Sequence, residues 1–339
     1  MTDSSRTATR RQKSEGDSRQ GEFELIRWIQ SQVGGGHNLL DGIGDDCAVE
    51  QTAADQLLLT STDLLIEDVH FRRCWTSMFD LGRKSVAVNL SDIAAMGGSP
   101  RTLFLGLGFS RQMVTEDLHA FIRGFIAEAK ACNVVLAGGD TCASPGPLMI
   151  SVTVHGTVSP EQIIRRSGAA PGDSIYVSGT LGDSALALQR LQAGQQPATC
   201  LAARLHTPRA QVALGRYLAA GGWATAMIDV SDGLLADLTH LLVASGVGAE
   251  ISREKVPLSP AFRDACTAEP ELFDLALAGG EDYELLFTSP WADLQQRLEP
   301  EVKVTRIGTV CQQQGLRISR EDGTEYQCRQ RGFDHFRSD

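Results

Sequence analysis

Leu148-Met149-Ile150-Ser151-Val152-Thr153-Val154-His155-Gly156-Thr157-Val158 decides the fold. Met149, Ser151, Thr153 and His155 fall on one side, and Ile150, Val152 and Val154 on the other. A period of two residues is that of a strand. The strands of a doubly wound parallel sheet read instead as unbroken apolar runs. The stretch therefore predicts an α+β (mixed α/β) protein with mixed sheets and helices on one face.

Working outward, Val134-Val135-Leu136-Ala137 reads as the preceding strand, ending in Gly138-Gly139-Asp140. Residues 115–132 read as an amphipathic helix, with Leu118, Phe121, Ile122, Phe125, Ile126 and Ala129 on one face. Leu103 to Leu107 is a buried strand, Gly82 to about Ala95 a helix of small residues suited to close packing, and Leu57-Leu58-Leu59-Thr60 a strand. Phe23, Ile26 and Trp28-Ile29 fit a short helix.

Downstream, the turn Ala170-Pro171-Gly172-Asp173 opens a second unit. Ile175 to Ser178 is a strand, Gly179-Thr180-Leu181-Gly182-Asp183 a Gly-rich turn, and 184–193 a helix stopping at Gly194. Ala226 to Val230 is a strand, with Ser231 as N-cap of a helix over 232–245 and Gly246 as its stop. Leu285-Leu286-Phe287 and Val302-Lys303-Val304 complete the strands. Two domains are expected, 21–160 and 161–339, behind a polar tail over 1–20 whose composition is that of a disordered segment.

Short acidic motifs recur along the chain: Gly44-Asp45-Asp46, Ser61-Thr62-Asp63, Leu90-Ser91-Asp92, Gly138-Gly139-Asp140-Thr141, Asp229-Val230-Ser231-Asp232-Gly233 and Gly279-Gly280-Glu281-Asp282-Tyr283-Glu284. Most follow an apolar run, which places each carboxylate at a strand end or helix start. Taken singly, Asp92 and Asp232 could be helix N-terminal residues, and Asp63 and Asp140 turn residues. Together they would repel one another in one cleft unless cations lay between them. Oxygen ligands without a His/Cys cluster suit Mg²⁺, which also uses substrate phosphates.

Other signals narrow the reading. No G-x-x-x-x-G-K-[ST] phosphate loop occurs, and Gly82-Arg83-Lys84-Ser85 reads as the start of a helix. The net charge of −11 argues against nucleic-acid or anionic-membrane partners. The eight cysteines form no C-x-x-C pair, which fits core residues in a reducing compartment and a cytoplasmic protein. No apolar run reaches membrane-spanning length. His70 is the histidine beside an acidic motif, and Arg165-Arg166-Ser167-Gly168 could bring an Arg to phosphate.

The ordered series of motifs resembles the thiamine-monophosphate kinases of the aminoimidazole-ribonucleotide-synthetase-like ATP-binding superfamily, over roughly residues 21–336. It rests on the acidic motifs above with Asp68-Val69-His70-Phe71, Asn89-Leu90-Ser91-Asp92-Ile93-Ala94-Ala95-Met96-Gly97-Gly98 and Arg166-Ser167-Gly168-Ala169. The resemblance implies that fold, and phosphorylation of thiamine monophosphate by ATP. It implies Mg²⁺ ligation by Asp46, Asp63, Asp92, Asp140, Asp229 and Asp232, with help from Ser61 and Thr62. It implies ATP contacts from Gly139, Asp140, Arg166 and Ser231, and acceptor contacts from His70, Glu281 or Asp282, and Phe333, with Phe336 as the rival of Phe333. It also implies a homodimer joined through strands of the N-terminal half, with ATP in the cleft between the domains.

A phosphate-monoester acceptor is largely a dianion at cellular pH, its second pKa being near 6, and needs no general base. What opposes transfer is repulsion between phosphates, which Mg²⁺ relieves. The rivals within the superfamily are aminoimidazole-ribonucleotide synthetase, selenophosphate synthetase and the hydrogenase-maturation dehydratase. The last would end in a reactive Cys, whereas this chain ends Phe336-Arg337-Ser338-Asp339. A nucleotide or thiamine-phosphate sensor is the reading from another class, and a sensor would tolerate loss of the carboxylates.

Overall fold

The structure, a computed structural model, describes residues 22–32 and 38–329. The expected tail and the candidates Phe333 and Phe336 lie outside the described residues. Helix α1 (Glu22–Gln32) belongs to a unit of its own.

The main body starts with β1 (Leu39–Asp41), β2 (Ala48–Ala53) and β3 (Gln56–Ile66). Helix α2 (Met78–Ala95), β4 (Ser99–Phe109), α3 (Thr115–Ala131), β5 (Val135–Ala143) and β6 (Met149–Val158) follow. The strands form one six-stranded sheet in the order β1-β2-β3-β6-β4-β5, parallel only between β4 and β5. The period-two pattern of β6 is realised: Ile150, Val152 and Val154 are buried, and Ser151, Thr153 and His155 are less so. Helices α2 and α3 cover the apolar face. Glycines let them close: a Cβ at Gly82 would lie 2.1 Å from the Phe121 carbonyl oxygen, and one at Gly124 1.8 Å from that of Phe79.

The next elements are β7 (Ser174–Ser178), α4 (Asp183–Gln192), α5 (Thr199–His206), α6 (Val212–Gly221), β8 (Ala226–Asp229), α7 (Leu234–Ser245) and β9 (Gly248–Ser252). Then come α8 (Pro260–Ala268), α9 (Phe273–Ala278), β10 (Leu285–Ser289), α10 (Leu294–Arg297), β11 (Val304–Cys311) and β12 (Gly315–Ser319). The second sheet runs β12-β9-β11-β7-β10-β8 and is parallel only between β12 and β9.

Both sheets are mixed, as expected, but helices on one face describe only the first. In the second, Ile175, Val177, Ile228 and Leu286 pack into a core with α4, α7, α8 and α9. Tyr176, Met227, Leu285 and Phe287 pack on the other side with Ala94, Ala95, Leu218 and Ala219. The end of α2 is thus built into the second sheet's covering. A Cβ at Gly215 of α6 would meet the Ala94 carbonyl oxygen at 2.1 Å.

Several local expectations change. Helix α2 starts at Met78, capped by Ser77, whose hydroxyl accepts from the Asp80 N–H at 3.0 Å. Gly82-Arg83-Lys84-Ser85 is therefore inside the helix, and Asp92 is in its last turn, not at a helix start. Ser61-Thr62-Asp63 and Gly138-Gly139-Asp140 lie within β3 and β5 rather than after them. Helix α7 begins at Leu234, and Ser231 does not cap it. Strand β11 begins only at Val304.

Candidate active site

Asp229 ends β8, a strand buried along its whole length. Asp92 comes from the last turn of α2, and Asp46 from the turn before β2. One carboxylate oxygen from each lies within 4.8 Å of the others. For Asp92 the helix-dipole reading fails, because the C-terminal end of a helix disfavours a negative charge.

Neighbouring side chains hold this cluster. Ser91 donates its hydroxyl to Asp229 Oδ2 at 2.6 Å, and Ser61 donates to Asp92 Oδ2. Arg166 Nη2 meets Asp46 Oδ1 at 2.7 Å, while both oxygens of Asp45 accept from the Arg166 N–H at 3.3 Å. Asp46 Oδ2 is buried and has no hydrogen-bond partner among the described residues.

Crowding and burial weaken the acids. Burial, with the charges of Asp63, Asp229 and Asp46, pushes the Asp92 carboxyl well up. Burial first, then the charge of Asp46, raises Asp229 to about 7. Burial and the adjacent Asp46 raise Asp45 to about 6. Burial and the charge of Asp232 raise Asp63 to about 6. Ser61 and Asp63 alternate with the open face of β3 and point to the helix side.

The loop carrying Ser231 and Asp232 is set by Asp237. Its Oδ2 accepts from the N–H groups of Ser231, Asp232 and Gly233 at 3.1, 3.1 and 3.0 Å. These amides at the start of α7 would otherwise form an anion-binding nest. The 279–284 loop is stitched to the same segment: the Glu281 N–H donates to the Ser231 carbonyl at 2.7 Å, and the Tyr283 N–H to that of Val230 at 2.8 Å. Glu281 and Tyr283 both have left-handed backbone, with φ of 66° and 52°. Such conformations in non-glycine residues cost energy and concentrate at ligand sites.

The expected residues divide. Asp46, Ser61, Asp92, Arg166 and Asp229 come together, and the charge of Asp63 bears on Asp92 and that of Asp232 on Asp63. Thr62 does not join them. Strand alternation turns it to the open face, where its hydroxyl donates to the Val152 carbonyl at 3.1 Å and accepts from Thr153. Asp140 pairs in register with Gly106, next to exposed Phe104, on the exposed strand β5. At Gly139, φ is 155° and a Cβ would strike the Leu105 carbonyl oxygen at 1.9 Å. Asp282 is 1% exposed and accepts from the Gly182 N–H at 2.9 Å, which makes it a buried structural acceptor, not an acceptor-facing group. His70 Nδ1 accepts from the Ile66 N–H at 3.0 Å, which leaves the ring proton on Nε2.

Sequence reasoning passed over Asp45, Ser91, Lys84 and Asp237. Asp45 and Ser91 stood inside quoted motifs. Lys84 and Asp237 had no local signal, because their partners come from other elements.

A carboxylate-only donor set around an unpartnered buried oxygen fits a hard divalent cation. Asp46, Asp92 and Asp229 could hold it.

Residues 44–158 match the family of AIR synthase related proteins by its N-terminal domain, and residues 170–321 match it by its C-terminal domain. The chain is 38% identical to a thiamine-monophosphate kinase of Haemophilus influenzae, over 86% of this chain and 88% of that one. It superposes with a TM-score of 0.82 on AaThiL complexed with AMPPCP and TMP, which is 34% identical, covering 93% of this chain and 97% of that one. A thiamine-monophosphate kinase from Stenotrophomonas maltophilia K279a superposes with a TM-score of 0.72 at 40% identity, covering 89% and 96%.

Proposed function

Since the chain belongs to the AIR synthase related family and, within it, to the thiamine-monophosphate kinases, we propose that it phosphorylates thiamine monophosphate with ATP, giving thiamine diphosphate and ADP. This is the closing step of thiamine diphosphate formation. The observation that carries the reading is the three-carboxylate cluster with its unpartnered Asp46 oxygen. The same fold accommodates an ATP analogue and TMP in AaThiL, which supports both substrates here.

Mg²⁺ ions are the fitting cofactor, and when bound they supply charge neutralisation between donor and acceptor phosphates. Asp46, Asp92 and Asp229 form one candidate ligand group, and Asp63 and Asp232, whose charges interact, are assigned as a second. Ser61 and Ser91 orient the carboxylates they donate to. Asp237 shapes the Ser231–Gly233 turn. Arg166, paired with Asp46, is placed to exchange that contact for a nucleotide phosphate. Ser231 is assigned to ATP, and His70, with Nε2–H as donor, to the acceptor, together with Glu281.

The acceptor attacks as a dianion in a single in-line displacement at the γ-phosphorus, and no residue is assigned as general base. Thr62 and Asp140 sit on the open face of the first sheet, where Leu64, Phe104 and Met149 are 53%, 38% and 40% exposed, and Gly139 is the neighbour of Asp140 in β5. That face supports a homodimer in which these residues act at or beside the subunit boundary. Among the described residues no helix is long and apolar enough to cross a membrane. An ATP-dependent biosynthetic step fits the cytoplasm.

The test is turnover with ATP, Mg²⁺ and thiamine monophosphate. Formation of thiamine diphosphate that stops on chelation supports the reading. Nucleotide binding without turnover would make the chain a sensor.

A further inference from the structure

We propose that Lys84 is a positioning residue that fixes the Glu281 carboxylate at the acceptor end of the cleft. The inference rests on the assignment of Glu281 to the acceptor made above, and it adds a residue that no acidic motif contains.

Lysine is seldom buried without a partner, and Lys84 is 5% exposed. Its Nζ lies 2.9 Å from Glu281 Oε1 and 3.0 Å from Oε2. The two residues come from α2 and from the loop before β10, so the contact joins the two halves. Asp80 stands one turn earlier on α2, and the charges of Lys84, Asp80 and Glu281 all bear on His206 of α5. His206 is pushed down by burial and then by the charge of Lys84, with Asp80 and Glu281 opposing.

The loop does not need Lys84 to hold its course. Main-chain bonds from Glu281 to Ser231 and from Tyr283 to Val230 fix the left-handed turns, and Gly280 has its Cβ position blocked by the Ser231 carbonyl oxygen at 2.3 Å. What Lys84 adds is the direction of the carboxylate. Along α2, Lys84 precedes Asp92 by two turns, about 12 Å at 1.5 Å per residue. One helix thereby sets the spacing between the acceptor carboxylate and the metal carboxylates. Burial raises the Tyr283 hydroxyl, and the charges of Glu281, Asp63, Asp229 and Asp92 all bear on it. The ligand chemistry that suits a carboxylate so held is a cationic heterocycle or its amino group on a phosphate monoester.

Steady-state kinetics of Lys84→Met, Lys84→Arg, Glu281→Gln and the Lys84→Met/Glu281→Gln double variant test this. Lys84→Met should raise the KM for thiamine monophosphate about tenfold, the scale of one charge-assisted contact. The KM for ATP and kcat should move little. Lys84→Arg should recover most of the loss, and the double variant should be no worse than Glu281→Gln alone. If Lys84→Met fails to fold, the double variant removes the unpaired charge, and its comparison with Glu281→Gln, together with Lys84→Arg, decides the matter. Equal effects on both KM values, or additive effects in the double variant, would overturn the proposal. A wild-type protein inactive with thiamine monophosphate would instead overturn the functional reading on which it stands.

Discussion

Two sets of carboxylates among those shielded from solvent, Asp282 with Glu284 and Asp46 with Asp92 and Asp229, are finished differently. Glu284 receives the Ser178 hydroxyl, Gln211 Nε2 at 2.9 Å and Arg204 Nη2 at 2.6 Å, and Asp282 receives the Gly182 amide. Both are answered from within the chain and tie α5 to the turns around β7 and β10. Asp46, Asp92 and Asp229 share one arginine and two serine hydroxyls, and among the described residues one Asp46 oxygen has no partner. Burying charge is costly unless it is paired, so the incomplete set is the one shaped for something the chain does not supply. Burial alone separates structure from function poorly, whereas the three donors on Glu284, against one on each of Asp46, Asp92 and Asp229, set it apart.

Substitution should split the two sets. Asp229→Asn keeps the shape and removes one charge. Turnover should fall at least about a hundredfold, taking one metal contact as several kcal/mol of transition-state stabilisation. The fold should be at least as stable, because repulsion is relieved. Near-normal turnover would erase the contrast. Arg204→Ala should do the reverse. Stranding Glu284 should lower the free energy of unfolding in urea by about 3 kcal/mol, with a smaller effect on turnover per folded molecule than Asp229→Asn has. Unchanged stability would show that Glu284 is not held as described.

Much of the fold was legible because its signals are local. The alternation in Leu148–Val158 gave a sheet with one covered face. The unbroken apolar runs Ile175-Tyr176-Val177, Ala226-Met227-Ile228 and Leu285-Leu286-Phe287 are those of strands covered on both faces, and all are buried. That consequence was missed because part of the second covering comes from α2, more than a hundred residues away from β8 and β10, alongside the neighbouring α6. The acidic motifs marked Asp46, Asp92 and Asp229, but not where each stands in its element. Alternation within β3 separates Thr62 from Ser61 and Asp63, and no motif could register that until the strand was known to continue through it. Lys84, read only as part of a helix start, and Asp237 were given no role because their partners are set by tertiary structure.

The central claim is that the Asp46, Asp92 and Asp229 cluster is built around a cation, and proton linkage tests it most directly. Asp45, Asp63 and Asp229 have ordinary values of 3.8 raised to about 6, 6 and 7 in the fold, and Asp92 is raised in the same sense. The folded chain therefore binds more protons than the unfolded chain between about pH 4 and pH 7. Their contribution to stability is present at the acid end of that window and is lost as pH rises through the folded values. Thermal unfolding of metal-free protein, followed from about pH 5 to pH 7.5, should show the midpoint falling with pH. Saturating Mg²⁺ should reverse the fall, and Asp229→Asn should weaken both effects. A midpoint that rises with pH in metal-free protein and ignores Mg²⁺ would contradict the account.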